Sequence, residues 1–218
     1  MRDVGLLVFD LDGTLVDSLR DLATATNRAL DRIAPGTPPL PVEEVREFVG
    51  DGTRQLLSRS LGKAGLRNTV DELLPVYLDC YAGCLLDTTR LFPGVREALD
   101  RLRDRTLAVL TNKPGDLSRA ILAGLDVADR FARIYGAGDV PGHKPDPAGL
   151  LRILEELGVP CGRAVMVGDS EVDVRTGRAA GVRTVGVTYG LHPEGLRAVP
   201  PDLCIDDLRE LPALLGAA

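Results

Sequence analysis

Several features that would assign this chain to common classes of protein are absent from its 218 residues. It has no long basic run and carries a formal net charge of −6, which argues against nucleic acid and anionic membrane surfaces as partners. No apolar stretch has the length of a transmembrane helix. The first apolar run is short and lacks a preceding basic region, so we expect no signal peptide. These absences predict a globular, cytoplasmic protein.

Cysteine and histidine are too few and too scattered to indicate the sites that they usually form. Four cysteines are present: Cys80, Cys84, Cys161 and Cys204. Their spacing shows no metal-ligand pairing, so we expect reduced thiols and no zinc site. The two histidines, His143 and His192, have no serine or cysteine partner at a recognisable spacing. A hydrolase triad is therefore not expected.

Enough apolar residues are present to bury a sizeable core, since 44% of the chain is hydrophobic. An uninterrupted apolar run over residues 4–9 predicts a buried strand. The run ends in Asp10 and Asp12, whose side chains leave the same side of an extended chain. Like charges this close repel each other, and a divalent cation is the usual remedy. We therefore expect chemistry where this strand ends.

The next segment has the spacing of helices. Apolar residues recur at helical intervals over 19–33, and further helices are predicted over 42–49, 53–61 and 70–86. No convincing strand is found in this segment. The pattern indicates a helical insertion, residues 17–89, in a core that comprises residues 1–16 and 90–218.

From residue 91 onward, predicted helices and strands alternate, which is typical of a parallel sheet covered by helices. We therefore predict an α/β fold with a doubly wound, Rossmann-like parallel sheet. Ligands of such sheets bind beyond the carboxyl ends of the strands. Several polar residues follow predicted strands or lie in loops that reach this edge: Asp10, Asp12, Thr111, Lys144, Asp169 and Asp173.

These residues, in this order, resemble the motifs of the haloacid dehalogenase superfamily of phosphotransferases. The four motifs are residues 10–14 (DLDGT), Thr111, Lys144-Pro145 and residues 168–173 (GDSEVD). Any one of them alone would be weak, because Asp-x-Asp and Gly-Asp also occur in ordinary loops. The resemblance implies that the insertion is the helical cap domain of this superfamily's first cap class.

The resemblance also implies a mechanism for phosphate monoesters. Asp10 would attack phosphorus and form an aspartyl-phosphate, and Asp12 would protonate the leaving oxygen and then deprotonate water. Thr111 and the Asn112 backbone N–H would hold the phosphoryl oxygens, and Lys144 would offset their charge.

Mg²⁺ is the cofactor that the resemblance implies. Its ligands would be Asp10, the backbone carbonyl of Asp12, Asp169 and water. Asp173 would lie close to the ion and act through a water molecule. We expect a small phosphorylated metabolite as substrate, and a monomer or homodimer without nucleic-acid or membrane partners.

Within the superfamily, segments 49–52, 110–114, 167–170, 179–181 and 186–190 are similar to the phosphoglycolate phosphatase group. The glycine-containing loop 50–55 runs into a predicted helix, so Gly52 and Arg54 are predicted to bind substrate. The Arg54 guanidinium would suit a carboxylate, which 2-phosphoglycolate carries. The alternative interpretation is that Arg54 is a solvated surface residue.

Other functions remain open at this point. A pyrophosphatase, a sugar phosphatase or a mutase similar to β-phosphoglucomutase would keep every motif, whereas dehalogenases lack the second acid, Asp12. Phosphonate cleavage would require a cap lysine, for which Lys63 is the candidate. A non-catalytic binding module would be expected to have lost an essential acid. Lys113, one of three lysines, is either solvated at a helix start or a substrate contact.

Overall fold

The computed structural model describes residues 3–216 and divides into two compact units. The first unit, the core, comprises the chain up to Asp17 and from Leu91 onward. The second, the inserted unit, is Ser18–Arg90. These boundaries differ by one residue at each end from the insertion 17–89 that the sequence indicates.

A six-stranded parallel sheet forms the centre of the core, with the strand order β5-β4-β1-β6-β7-β8. The strands are β1 Leu6–Phe9, β4 Thr106–Pro114, β5 Arg133–Ala137, β6 Ala164–Gly168, β7 Arg183–Val187 and β8 Leu203–Ile205. Two short strands, β2 Val16–Asp17 and β3 Arg90–Leu91, form a separate two-stranded sheet. The predicted doubly wound α/β fold is confirmed.

Every residue of strand β1, which lies in the middle of the sheet, is apolar. All four of its side chains are buried, as expected for a parallel strand that is covered on both faces. Leu6 is aligned with Thr106 of β4 on one side and with Ala164 of β6 on the other. The carboxyl ends of β1, β4 and β6 therefore meet at one edge of the sheet.

The core helices are α5 Val95–Arg101, α6 Gly115–Gly124, α7 Ala148–Leu157, α8 Glu171–Ala179, α9 Gly195–Ala198 and α10 Glu210–Leu214. Helix α7 packs its apolar face against one face of the sheet. Its buried Leu150, Ile153 and Leu154 contact a cluster that includes Leu6 and Val8 of β1. This packing covers the central strands and leaves their polar carboxyl ends outside the apolar core.

The inserted unit consists of helices and loops between Ser18 and Thr89. Its helices are α1 Leu19–Ile33, α2 Val42–Arg46, α3 Thr53–Lys63 and α4 Val70–Ala82. Helix α4 ends earlier than residue 86, the end predicted from the apolar pattern. Helix α4 begins with a capping box in which Thr69 and Glu72 bond to each other's backbone N–H groups. Within residues 3–216, no helix combines the length and apolar character needed to cross a membrane.

A buried carboxylate joins the two ends of the inserted unit. Asp21, in the first turn of α1, accepts hydrogen bonds from the backbone N–H and hydroxyl groups of both Thr88 and Thr89, at 2.6 to 3.0 Å. Burial alone would raise the pKa of Asp21, but these hydrogen bonds hold its pKa below the ordinary value. The ionised form is therefore the form that the folded unit stabilises.

Replacing Asp21 by alanine is expected to lower the free energy of unfolding by about 2–4 kcal/mol, because the buried N–H group of Thr89 and the part-buried N–H group of Thr88 lose a charged acceptor. Urea unfolding measures this loss. The pKa of Asp21 is lower in the folded state than in the unfolded state. Its contribution to the free energy of unfolding is therefore fully present above the unfolded pKa of about 3.9 and is lost as the pH falls through the folded pKa. The difference between variant and wild type should shrink from pH 7 to pH 3. Glu43→Ala, at an exposed position, is the control, and an equal loss there would contradict the interpretation.

Candidate active site

Three buried carboxylates converge at the carboxyl edge of the sheet. Asp10 follows β1, Asp169 follows β6, and Asp173 lies in the first turn of α8. One carboxylate oxygen of each lies within 4.8 Å of those of the others. Strands β1 and β6 are neighbours, and the Asp10 N–H donates to the Val167 carbonyl at 2.9 Å, so the sheet pairing itself brings Asp10 and Asp169 together.

Lys144 supplies a positive charge to this cluster, which we call the acidic cluster. Its Nζ lies 2.8 Å from Asp10 Oδ1 and 2.6 Å from Asp173 Oδ1, and its side chain is only 3% exposed. Burial lowers the pKa of this lysine, but the charges of Asp10 and Asp173 outweigh burial and raise its pKa above the ordinary value. Lys144 is therefore a permanent cation at the cluster.

The carboxyl groups of Asp10 and Asp169 have raised pKa values and so retain protons more strongly than free aspartate. Burial raises the pKa of Asp10 to about 6, opposed by the charge of Lys144 and assisted by that of Asp173. Burial together with the charges of Asp173 and Asp10 raises the pKa of Asp169 to about 8. When all three carboxyl groups are ionised, the single ammonium of Lys144 leaves an excess of two negative charges. The acidic cluster therefore fits a divalent, oxygen-preferring cation such as Mg²⁺.

The backbone around Asp169 fits closely against its carboxylate. Gly13 has a φ of +84°, and a Cβ added there would lie 2.2 Å from Asp169 Oδ2, so glycine is required for both reasons. Asp169 Oδ2 also accepts hydrogen bonds from the N–H groups of Leu191 at 2.7 Å and His192 at 3.2 Å. The Thr14 hydroxyl donates to Asp169 Oδ1 at 3.3 Å. Asp169 is thus held in one orientation.

Asp173 is oriented by its own helix start. The Ser170 hydroxyl and N–H donate to Asp173 Oδ2 at 2.7 and 3.2 Å, while Asp173 Oδ1 contacts Lys144. Ser170 occupies the N-cap position of α8. Direct or water-mediated contact of Asp173 with a cation remains a prediction.

A second ion pair joins Asp12 to Lys113. Lys113 Nζ lies 2.9 Å from Asp12 Oδ1 and 2.8 Å from Asp12 Oδ2. The side chains of Lys113 and Asp12 are 4% and 12% exposed. Lys113 is therefore buried, and the interpretation that it is solvated at the start of a helix is wrong. Strand β4 continues beyond its apolar run, which ends at Leu110, to Pro114, and Lys113 is part of it.

Thr111 and Asn112 lie on the same extension of β4 and are buried. The side chain of Asn112 holds the loop that carries Lys144: its Oδ1 accepts from the Lys144 N–H at 2.8 Å, and its Nδ2 donates to the Lys144 carbonyl at 3.0 Å. Thr111 Oγ1 accepts from the Lys113 N–H at 3.3 Å. Asn112 therefore positions Lys144, and the contacts of Thr111 and Asn112 with phosphate remain predictions.

The two residues predicted to bind substrate from the insertion lie in the inserted unit. Gly52 precedes α3 with a φ of +90°. Arg54 is exposed, and its Nη2 lies 2.5 Å from Asp71 Oδ1. Asp51 forms an equivalent pair with Arg59 at 2.5 Å. The substrate contacts of Gly52 and Arg54 stay predictions.

Comparison of the chain with models of protein families agrees with the order and geometry of these residues. A family model described as haloacid dehalogenase-like hydrolase matches residues 7–187. This chain belongs to that family.

Relatives of this haloacid dehalogenase-like hydrolase carry a more specific description. The phosphoglycolate phosphatase of Pseudomonas putida is 40% identical over 214 residues, which span 94% of this chain and 78% of that protein. The phosphoglycolate phosphatase of Psychrobacter arcticus is 36% identical over 96% of this chain and 94% of its own. A crystal structure described as a predicted phosphoglycolate phosphatase from Haemophilus somnus 129PT has a TM-score of 0.91 and 31% identity, and the match covers 98% and 99% of the two chains. The family and these relatives show that the chain is a phosphatase.

Two parts of this hydrolase's site were not identified from the sequence. One is the pair of Lys113 with Asp12, for which the rarity of lysine was the available signal. The other is Tyr189, whose hydroxyl donates to the Thr14 carbonyl at 2.9 Å and whose ring lies against Phe92 with 5.0 Å between centroids. Tyr189 lies in segment 186–190, which carries part of the resemblance, but its contacts with Thr14 and Phe92 are not visible in the sequence because these partners are distant in the chain.

Proposed function

We propose that the chain is a Mg²⁺-dependent phosphomonoesterase that hydrolyses 2-phosphoglycolate to glycolate and phosphate. The choice of this substrate rests on the similarity to proteins named phosphoglycolate phosphatase, at 36–40% identity over at least 94% of the chain. The acidic cluster and the two ion-paired lysines support phosphoryl transfer, since each charged group has a use in that reaction.

Asp10 is the proposed nucleophile. Its carboxylate oxygen forms a bond to phosphorus while the bond between phosphorus and the ester oxygen breaks, and the electron pair of that bond goes to the leaving oxygen. The adjacent Lys144 ammonium offsets the negative charge that Asp10 and the phosphoryl oxygens bring together. Water then attacks the phosphorus of the aspartyl-phosphate, and the bond to Asp10 breaks to release phosphate.

Asp12 is the proposed general acid and base. In the first step its carboxyl group gives a proton to the leaving oxygen of glycolate. In the second step its carboxylate takes a proton from the attacking water. One residue therefore serves both steps, and the proton that leaves in the first is recovered in the second.

Asp10, Asp169 and Asp173, with the backbone carbonyl of Asp12, are the residues that would hold Mg²⁺. The ion would offset the charge of the phosphoryl oxygens and of the acidic cluster. Thr111 and the Asn112 N–H would bind the phosphoryl oxygens, and Gly52 and Arg54 are the proposed substrate contacts of the inserted unit. We also propose that the protein acts in the cytoplasm, as a monomer or homodimer.

A phosphate-release screen tests the substrate. With Mg²⁺ present, we expect the highest kcat/KM for 2-phosphoglycolate, compared with pyrophosphate, glycerol phosphates and hexose phosphates, and no release in the presence of excess EDTA. A preference for pyrophosphate or a hexose phosphate would contradict the substrate but keep the phosphatase. Isomerisation of a phosphosugar without phosphate release would indicate a mutase instead.

A further inference from the structure

Each of the two buried lysines at the carboxyl edge of the sheet pairs with different acids. Lys144 contacts Asp10 and Asp173, in the part of the site where the nucleophile lies. Lys113 contacts both oxygens of Asp12, the acid assigned to the leaving group. Burying an ammonium is costly unless it is paired. The second lysine therefore places a fixed positive charge on the leaving-group side of the reaction.

We propose that Lys113 binds the carboxylate of the leaving group and makes the site selective for phosphate esters that carry a carboxylate next to the ester carbon. This inference rests on the proposed function and names the residue that distinguishes its substrate from neutral phosphate esters. It assigns recognition of the carboxylate to a residue of the core sheet, on strand β4.

The contact between Lys113 and Asp12 brings the ammonium close to the leaving group. To transfer a proton, Asp12 must lie within hydrogen-bond distance of the ester oxygen, at about 2.5–3.0 Å. Lys113 Nζ lies 2.8 Å from the same carboxyl group. In 2-phosphoglycolate a single methylene carbon separates the ester oxygen from the carboxylate. An ammonium that contacts Asp12 is therefore within reach of that carboxylate, and its N–H donors fan out to serve more than one acceptor.

Charge supports the same conclusion. The acidic cluster and Asp12 would repel a substrate with a second anionic group, unless a cation faces that group. A neutral leaving group such as glycerol gains nothing from an ammonium at this position. A buried, charge-assisted hydrogen bond to a carboxylate contributes much more, because water does not screen it.

The alternative role for Lys113 is to orient Asp12 only. The two roles differ in what they do to different substrates. Orientation of Asp12 affects every phosphate ester and acts mainly on kcat, whereas binding of the carboxylate affects only substrates that carry one and acts on KM.

The test compares Lys113→Met with wild type on 2-phosphoglycolate and on its amide, 2-phosphoglycolamide, in which a neutral group replaces the carboxylate. We expect the wild-type preference for the carboxylate to fall about 10–100-fold in Lys113→Met, mainly through KM. Inhibition by the product glycolate should weaken by a similar factor. Circular dichroism and thermal unfolding establish that the variant is folded, and Lys113→Gln is measured in parallel.

Three results would overturn the inference. Equal losses on both substrates, with unchanged inhibition by glycolate, would leave Lys113 as a positioning residue for Asp12. Loss of the preference in Arg54→Ala but not in Lys113→Met would assign the carboxylate to the inserted unit. If wild type itself shows no preference for 2-phosphoglycolate over the amide, the proposed substrate fails before any Lys113 variant is measured, which separates that failure from the other two.

Discussion

Asp10→Asn is expected to abolish hydrolysis of an aryl phosphate in Mg²⁺, with a loss in kcat of about 10⁴-fold or more, because the amide cannot attack phosphorus. The shape of the side chain is kept and only the charge is removed. Steady-state release of the phenol, followed by absorbance, measures the effect. Asp12→Ala should be nearly as severe, since the leaving oxygen would then depart without a proton.

Stability separates this loss of chemistry from unfolding. The pKa of Asp10 is raised to about 6, so the folded protein disfavours the ionised carboxylate at pH 7 relative to the unfolded chain. A neutral side chain at this position should therefore keep or raise the midpoint of thermal unfolding. Asp104→Asn makes the same chemical change at an exposed position of the core and should keep full activity. Turnover at the wild-type rate in Asp10→Asn or Asp12→Ala would refute the mechanism.

Lys144→Met should damage both activity and stability, because it leaves the buried carboxylates of Asp10 and Asp173 without their ammonium. Removing one partner of a buried ion pair typically costs about 3–5 kcal/mol of unfolding free energy. We expect a loss of that size in metal-free protein, together with a loss in kcat/KM of about 10³-fold or more from the missing charge beside the phosphoryl group. Urea unfolding and phosphate release measure the two effects.

The pH dependence of this variant provides a further check. Protonated carboxyl groups need no counter-charge, so the destabilisation by Lys144→Met should be smaller at pH 5 than at pH 8. Lys63→Met is the matched control, since Lys63 pairs with Glu44 at 3.0 Å but is half exposed. Two results would contradict this account of the acidic cluster. One is a loss of stability in Lys63→Met equal to that in Lys144→Met, and the other is a loss in Lys144→Met that does not depend on pH.

Much of the core was predictable because its strands and helices are indicated by patterns of residues that are close together in the sequence. The apolar run before Asp10 became the central strand β1, and the alternation of helix and strand after residue 91 became the parallel sheet. The apolar spacing over 19–33 matches helix α1, Leu19–Ile33. Family membership followed from four motifs in order, and the comparisons confirm it.

The end of β4 was not predictable in the same way. The apolar run stops at Leu110, but the strand continues through Thr111, Asn112 and Lys113, because β5 remains alongside across a register shift. Pairing with a neighbouring strand, not local pattern, decided where this strand ends. Polar residues that a sequence pattern assigns to a loop are consequently buried on a strand.

The sequence by itself therefore determined the class of fold, the family and the residues that bring carboxylates to one edge of the sheet. Periodicity is a property of neighbouring residues, and the order of the motifs is visible along the chain without its fold. Only the tertiary structure decided which charges neutralise each other. Lys113 and Asp12 are separated by 101 residues and Lys144 and Asp173 by 29. The energy of an ion pair depends on distance in space and on burial, and neither is encoded in spacing along the chain.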